Sequence, residues 1–311
     1  MLAENIIIGQ GTKYPLKGIL TLPDVDSSPV PAVVLVHGSG SSNMDEKVGK
    51  LTPFKDIAEG LARHGIACVR YNKRSFSYGL KMVRDKSLTI TAKEETIEDA
   101  ILATELLKAD SRIDSDKIFI IGHSMGGMLA PRIDIEGGDY RGLIIMAGTP
   151  RRLEDVMKEQ LGETLDQMNP FVRKLASGSI NKLLEKFDGM YDVPDEQAKK
   201  IKIGNGATLY YFKDMGQTTV AEYMAQVNKP MLIMQGDKDF QVKADVDFAI
   251  YKEILKDCDN VTFKLYENLN HAFVNSVYGT ISKAKQEYNV EQHIGENVIA
   301  DIANWIKEIT E

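Results

Sequence analysis

Short runs of apolar residues, spaced along the chain, predict the strands of a central sheet. The middle runs are nearly continuous in Val, Ile and Leu, which is typical of strands buried on both faces of a parallel sheet. The first two runs, separated by Gly9–Lys17, indicate an antiparallel hairpin at one edge. The predicted strands are Ile6–Ile8, Gly18–Leu22, Ala32–Val36, Ala67–Tyr71, Lys117–Ile121, Leu143–Met146, Met231–Met234 and Val261–Leu265.

Helical periodicity fills the spaces between the later strands. Pro53–Gly65 begins with proline and ends with glycine, the residues that favour the start and end of a helix. Apolar residues also recur at helical spacing in Thr91–Asp110, Lys243–Leu255 and Glu296–Ile309. This alternation predicts an α/β fold with a mostly parallel central sheet flanked by helices on both faces.

One segment interrupts the alternation. Residues 150–227 contain helical stretches, such as Arg151–Met168 and Pro170–Phe187, and no convincing strand. We therefore predict a single domain, with a core of residues 1–149 and 228–311 and a helical insertion of residues 150–227.

Composition and charge narrow the class of protein. The 311 residues carry a formal net charge of −7, and the largest basic cluster, Asn72–Ser75, is too short for a nucleic-acid surface. Of the two cysteines, Cys68 lies in an apolar run and is predicted to be a buried thiol, so no disulfide framework is expected. No apolar stretch is long enough to span a bilayer, and the first residues do not resemble a signal peptide. These features predict a cytoplasmic protein that binds no membrane, unless a leader has been removed.

A serine between glycines is the strongest chemical signal in the chain. Gly122–Gly126 reads G-x-S-x-G and joins the predicted strand Lys117–Ile121 to a helix. In this context Ser124 is expected to stand on a strained turn, and Gly122 and Gly126 are small because larger side chains would collide with neighbouring backbone. A glycine-rich connection with a serine that caps a helix would have the same sequence motif. The strand before it and the helix after it favour a nucleophile.

A serine nucleophile needs a base, and two downstream histidines are candidates. His271 lies in a short loop after a predicted strand, from which it could reach over the edge of the sheet. The alternative, His293, precedes the last predicted helix and is expected to be a solvated or capping residue. His37 comes before the serine and is expected to brace its own loop.

The acid that orients the base should follow the preceding strand. After Met231–Met234 the chain reads Gly236, Asp237, Lys238 and Asp239. Asp239 fits the expected position at the end of such a strand better, and Asp237 is the alternative.

An oxyanion hole requires two backbone N–H groups. The first is assigned to Met125, which follows the nucleophile. The second is assigned to the loop of residues 37–46, where Gly38 and other small residues let the backbone bend towards the site. We assign this donor to Ser39, with Gly40 as the alternative.

These motifs together resemble bacterial serine esterases of the α/β-hydrolase superfamily. The resemblance rests on "VPAVVLVHGSG", "IIGHSMGGMLAPRI", "PMLIMQGDKDFQV" and "LNHAFV", which follow the order of that family along most of the chain. It implies the α/β-hydrolase fold with a helical lid. It also implies a triad of Ser124, Asp239 and His271, with Ser39 and Met125 as oxyanion donors.

The resemblance implies a carboxylesterase that forms an acyl-enzyme with a small-molecule acyl or aryl ester. No cofactor or metal is expected, because the histidines are scattered along the chain. Peptidase or amidase, thioesterase and acyltransferase activities on the same triad remain alternatives. A non-catalytic binding protein of this fold would normally lack a member of the triad.

Overall fold

A computed structural model describes residues 1–24, 29–204 and 206–311 of the chain. The strands of these residues are β1 (Leu2–Ile8), β2 (Leu16–Leu22), β3 (Val30–Val36), β4 (Ala67–Tyr71), β5 (Ile113–His123), β6 (Gly142–Met146), β7 (Lys202–Gly204), β8 (Ala207–Thr208), β9 (Met231–Gly236) and β10 (Val261–Tyr266). Eight of them form one sheet in the order β1-β2-β4-β3-β5-β6-β9-β10. β1 and β2 pair antiparallel at one edge, and the strands from β4 to β10 in this order pair in parallel. The predicted strands and the edge hairpin are therefore confirmed.

Helices connect the strands. They are α1 (Pro53–Arg63), α2 (Arg74–Arg84), α3 (Glu98–Lys108), α4 (Met125–Ile133), α5 (Leu153–Gln167), α6 (Pro170–Leu184), α7 (Asp195–Ala198), α8 (Leu209–Gln217), α9 (Val220–Met224), α10 (Ala249–Ile254), α11 (Ala284–Glu287) and α12 (Glu296–Thr310). Single π-helical turns at Lys93–Ile97 and Ala244–Phe248 precede α3 and α10. The four predicted core helices are confirmed. α2 was not predicted, because Ser75, Ser77 and Gly79 give its sequence a low helix propensity.

The sheet has a hydrophobic core on each face, which explains its apolar strands. In β3, Val33 and Leu35 belong to the core that α1 and α12 cover, whereas Val34 and Val36 belong to the core that α3 and α4 cover. A strand buried on both faces has no solvent side on which to place polar residues. The carboxyl ends of these parallel strands therefore carry the polar chemistry in their loops.

The segment between β6 and β9 is mainly helical, as predicted. It contains α5 to α9, and several of its residues, including Phe187, Leu209 and Phe212, are buried in the same core as α4. The expectation that it holds no strand is wrong in one detail, because β7 and β8 form a small antiparallel hairpin. The two strands have only three and two residues, too short for an apolar pattern to show in the sequence.

Two smaller predictions concern the thiols and the membrane. Cys68 is buried, Cys258 is exposed, and both are free thiols. Across the described ranges, no helix is long and apolar enough to cross a membrane.

The turn between β5 and α4 is packed so closely that only glycine fits on either side of Ser124. A Cβ atom at Gly122 would lie 2.2 Å from the carbonyl oxygen of Gly126, and one at Gly126 would lie 2.2 Å from that of Val36. Real Cβ atoms essentially never approach backbone so closely. The turn is therefore held against the end of β3.

We expect Gly126→Ala to lower the free energy of unfolding by about 1–3 kcal/mol or more, because the backbone of β3 must move to admit the methyl group. Gly162→Ala, in α5, is the matched control. No atom lies within 4 Å of its added Cβ, so this change should raise stability by about 0.5–1 kcal/mol. Urea midpoints of the two variants measure the difference, and equal midpoints would contradict the close packing.

Candidate active site

Ser124 stands at the turn between β5 and α4 and lines a cavity. Its φ of 54° and ψ of −118° are values that side-chain-bearing residues rarely adopt. Met125 is the first residue of α4, whose N-terminus presents free N–H groups and a positive partial charge. Both residues line the same cavity, so the structure places the predicted nucleophile beside the first predicted oxyanion donor.

Asp239 and His271 form a buried pair, although 32 residues separate them. Asp239 Oδ2 lies 2.7 Å from His271 Nδ1 and also accepts a hydrogen bond from the Gln235 side chain at 2.8 Å. The other oxygen of Asp239 accepts the backbone N–H groups of Gln241 and Val242, at 2.8 and 2.9 Å. Because both oxygens are fully engaged, the carboxylate is held in one orientation, and His271 donates from Nδ1 and keeps Nε2 free as an acceptor.

The alternative acid and base lie elsewhere. Asp237 accepts the backbone N–H of Asn268 at 2.6 Å and contacts Lys238, so it joins its turn to the loop after β10. His293 is exposed and lies 2.9 Å from Asp56, and the hydrogen bond with that carboxylate raises the pKa of His293. Neither residue pairs with a member of the predicted triad.

His37 is buried next to the loop that follows β3. Its Nε2 lies 2.9 Å from the carbonyl oxygen of Asn43, and its ring packs on Phe54 and Tyr71. Burial lowers the pKa of His37 to about 4, so the ring is neutral at pH 7. These contacts agree with the bracing role predicted for it.

His271 contacts the turn of Ser124 through His123, the residue before the serine. His123 Nε2 lies 2.8 Å from the backbone carbonyl oxygen of His271, and the two rings are 4.8 Å apart. Within the described part of the chain, the Ser124 hydroxyl makes no hydrogen bond to another protein group. Catalytic hydrogen bonds are often long without substrate and tighten when it binds.

The loop after β3 touches the same turn. A Cβ at Gly38 would lie 3.1 Å from Cβ of Ser124, and Ser39 and Gly40 line the cavity with Ser124. The Lys73 ammonium donates a hydrogen bond of 2.8 Å to the Gly38 carbonyl. In a trans peptide the C=O and the following N–H point in opposite directions, so this contact turns the N–H of Ser39 away from Lys73. Whether Ser39 or Gly40 is the second oxyanion donor stays a prediction.

The cavity has a volume of about 530 Å³ and mostly apolar walls. The insertion supplies one wall through residues such as Leu153, Met157 and Phe212, and the core supplies Met82 and Met128. The polar lining includes Ser39, Ser75, Glu95, Thr149, Gln160 and Gln241. Such a cavity accommodates a small, largely apolar molecule with a few fixed polar contacts.

Four residues around this site were not assigned a role from the sequence. Gln235 fixes Asp239, Glu46 and Lys73 bond to Gly38, and Glu95 lines the cavity. Gln235 gave a signal, because it is a polar residue at the end of an otherwise apolar strand. The others lie in polar stretches in which no pattern marks one residue. Within the described residues, no group of three or more His, Cys, Asp or Glu could hold a metal ion.

Comparison with known proteins identifies the family of the chain. The family described as "Serine aminopeptidase, S33" matches residues 27–276, most of the chain. Esterase EstD of Thermotoga maritima is 36% identical over 294 residues, which cover 94% of this chain. The match covers 65% of that relative, so the chain spans a little less than two thirds of its length.

Solved structures agree on the fold. Est1E from Butyrivibrio proteoclasticus superposes with a TM-score of 0.58 at 15% identity, covering 98% of both chains. Proline iminopeptidase from Mycobacterium smegmatis superposes with a TM-score of 0.59 at 14% identity, also covering 98% of both chains. The chain therefore belongs to the hydrolase family described as Serine aminopeptidase, S33, and has the α/β-hydrolase fold.

Proposed function

We propose that this protein is a serine carboxylesterase that cleaves small acyl or aryl esters through an acyl-enzyme. The observation that carries the proposal is the 2.7 Å contact of Asp239 with His271, next to the strained turn of Ser124. The name of the 36% identical relative, an esterase, supports the same class of reaction.

The pair of Asp239 and His271 determines which nitrogen acts as the base. With Nδ1–H donated to the carboxylate, Nε2 accepts the proton of the Ser124 hydroxyl as its oxygen attacks the ester carbonyl. The ring then gives that proton to the leaving alcohol. A water molecule attacks the acyl-enzyme by the same route and releases the acid.

The negative oxygen of each tetrahedral intermediate needs donors that are already in place. The N–H of Met125, at the N-terminus of α4, is the first. The orientation that Lys73 imposes on the peptide after Gly38 supports Ser39 as the second. Both groups are backbone donors on segments that pack against the Ser124 turn.

The shape of the cavity supports a neutral, largely apolar acyl or aryl group. We assign the insertion, residues 150–227, as a lid, because residues such as Leu153, Met157 and Phe212 form a wall of the cavity that contains Ser124. Methionines in that wall can adapt to different acyl groups.

An aminopeptidase is the second candidate, because the family description names that activity. Such an enzyme needs a carboxylate that binds the substrate ammonium, and Glu95 lines the cavity. However, Glu95 already accepts the Tyr211 hydroxyl at 2.8 Å and lies 3.5 Å from the Lys73 ammonium. Its charge is thus largely compensated, which favours neutral esters over free amines.

We expect wild-type protein to hydrolyse p-nitrophenyl esters in a series from acetate to decanoate, and Ser124→Ala to lose about 10⁴-fold or more in kcat. Ser115→Ala, at the other end of the same strand, is the control and should keep wild-type rates. Amino-acid p-nitroanilides, measured in parallel, test the aminopeptidase alternative. Equal rates for Ser124→Ala and wild type would exclude the proposed nucleophile.

Two neighbouring aspartates provide a matched test of the acid. Asp239→Asn should lower kcat by about 10⁴-fold, because an amide favours the wrong tautomer of His271. Asp237→Asn should stay within a few-fold of wild type, since the amide oxygen of asparagine can still accept the backbone N–H of Asn268. Comparable losses in the two variants would contradict the assignment of Asp239.

A further inference from the structure

A buried glutamate connects the loop after β3 to the residue before the nucleophile. Glu46 Oε1 accepts the backbone N–H of Gly38 at 2.8 Å, and Oε2 lies 2.9 Å from His123 Nδ1. Glu46 has a φ of 50°, in the left-handed region that residues other than glycine seldom adopt. The chain therefore holds a strained backbone at the position from which this carboxylate reaches both groups.

His123 continues the connection on its other side. Its Nε2 lies 2.8 Å from the backbone carbonyl oxygen of His271. A carbonyl oxygen can only accept a hydrogen bond, and an ionised carboxylate also only accepts. Both ring nitrogens of His123 therefore face acceptors, and the arrangement is satisfied only when both carry a proton. The geometry calls for a proton between Nδ1 and Oε2, and with Glu46 ionised, as its lowered pKa favours, that proton makes the ring an imidazolium.

The surroundings leave this ion pair without water. Phe54, Ile57, Met146 and Phe273 line the space beside Glu46 and His123, which is too small for a water molecule. Glu46 Oε2 and His123 Nδ1 are buried and make no well-aligned hydrogen bond among the described residues, so each atom depends on the opposite charge 2.9 Å away. The contact is a close ion pair rather than a well-aligned hydrogen bond. A buried charge that loses its partner is strongly unfavourable.

The charges that face His123 favour its protonated form. Burial opposes the charged ring, but Glu46, the His271 carbonyl and Asp239 outweigh burial and raise the pKa of His123. Burial likewise opposes ionised Glu46, but His123, His37 and the Gly38 N–H outweigh it and lower the pKa of Glu46. The ring of His271 lies 4.8 Å from that of His123, and His37 and Lys73 are the other titratable groups whose charges act on Glu46.

We propose that Glu46 and His123 are positioning residues of the esterase: their ion pair ties the oxyanion loop and the His271 loop to the Ser124 turn, and it does so only while His123 is protonated. The proposal rests on the proposed function. Neither residue touches the reacting atoms. Each acts through a backbone group, the N–H of Gly38 or the carbonyl of His271.

The pair defines a pH range. His123 has a folded pKa above its ordinary value of about 6.5, so its stabilisation is complete below that value and is lost as pH rises through the folded pKa. Glu46 has a lowered pKa, so its contribution is present above its ordinary value of about 4.3 and is lost at more acidic pH. Activity should therefore fall at alkaline pH when His123 loses its proton.

The experiment is the pH profile of kcat/KM for p-nitrophenyl butyrate between pH 5 and 9.5, corrected for spontaneous hydrolysis. In Glu46→Gln the alkaline limb should move by at least one unit to lower pH, and the maximum should drop about 10–100-fold, since small displacements of catalytic groups cost this much. In His123→Gln the group that titrates is gone, so the alkaline limb should disappear. The maximum of kcat/KM should be reduced as much as in Glu46→Gln. The double variant should be no worse than the poorer single variant.

His64→Gln is the matched control, because His64 makes an equivalent contact with Glu296, at 2.8 Å, on the protein surface. It should reproduce the wild-type profile. The proposal is overturned if Glu46→Gln and His123→Gln keep the wild-type alkaline limb, whatever their rates, or if wild type has no such limb. A simple packing defect would lower the rate at every pH and leave the limb in place.

A second measurement does not depend on activity. Selective ¹³C labelling of histidine in wild type, with His123→Gln used only to assign the signal, reports the pKa of His123 directly. A charged ring at pH 7.5 supports the proposal, and a neutral ring overturns it. If wild type is inactive on every ester, the proposed function fails, whereas this titration still decides the state of His123.

Discussion

The contact between the Ser124 turn and the end of β3 is the constraint on which the rest of the site depends. Gly126 touches the backbone of Val36, so β5, α4 and β3 meet with no side chain between them. The loop that leaves β3 must then pass directly over the nucleophile. This contact places Gly38 next to Ser124 and presents the helix N-terminus of α4 to the same space. The close contact of Gly126 with Val36 thus positions the proposed nucleophile, Ser124, and the backbone of both segments that are proposed to supply oxyanion donors.

Buried ion pairs and hydrogen bonds hold the loop after β3 in place. The end of β4 and the residues that follow it supply three cations, and each has a carboxylate partner: Arg70 with Asp45, Lys73 with Glu95 and Arg74 with Asp99. Lys73 also holds the Gly38 carbonyl, while Glu46 holds the N–H of the same residue. The loop after β3 is therefore fixed at both backbone polar groups of Gly38, although the loop itself has no regular structure. Preorganised donors of this kind require no rearrangement during reaction.

The sequence predicted the fold well because its central strands are buried on both faces. Apolar runs such as Ala32–Val36 and Leu143–Met146 are unambiguous, and the glycines around Ser124 mark the turn. It also selected His271 and Asp239 from their alternatives, since each follows a strand end where loops converge. The residues that it missed act through long-range contacts.

Glu46, Lys73 and Glu95 show why such residues are hard to predict. They are charged residues in polar stretches, and only the tertiary structure brings them to Gly38 or to the cavity. The hairpin of β7 and β8 was missed for a different reason. Its strands have three and two residues and are too short to show an alternating pattern. α2 was missed because two serines and a glycine interrupt it. The pattern of apolar residues in a short stretch predicts which side chains are buried. It does not predict contacts between residues that are distant in sequence.

The strand order has a consequence for how the protein folds. Gly38, Ser124, Asp239 and His271 belong to loops at the ends of four different strands, spread over more than two thirds of the chain. Contacts between residues so distant in sequence form slowly, because long loops must close first. β9 and β10 lie at one edge of the sheet and are followed by Asp239 and His271, the proposed acid and base. A partly folded chain without this edge would contain the Ser124 turn but not the proposed base. Recovered activity during refolding therefore reports molecules whose sheet is complete, whereas helical signal also comes from molecules that are only partly folded.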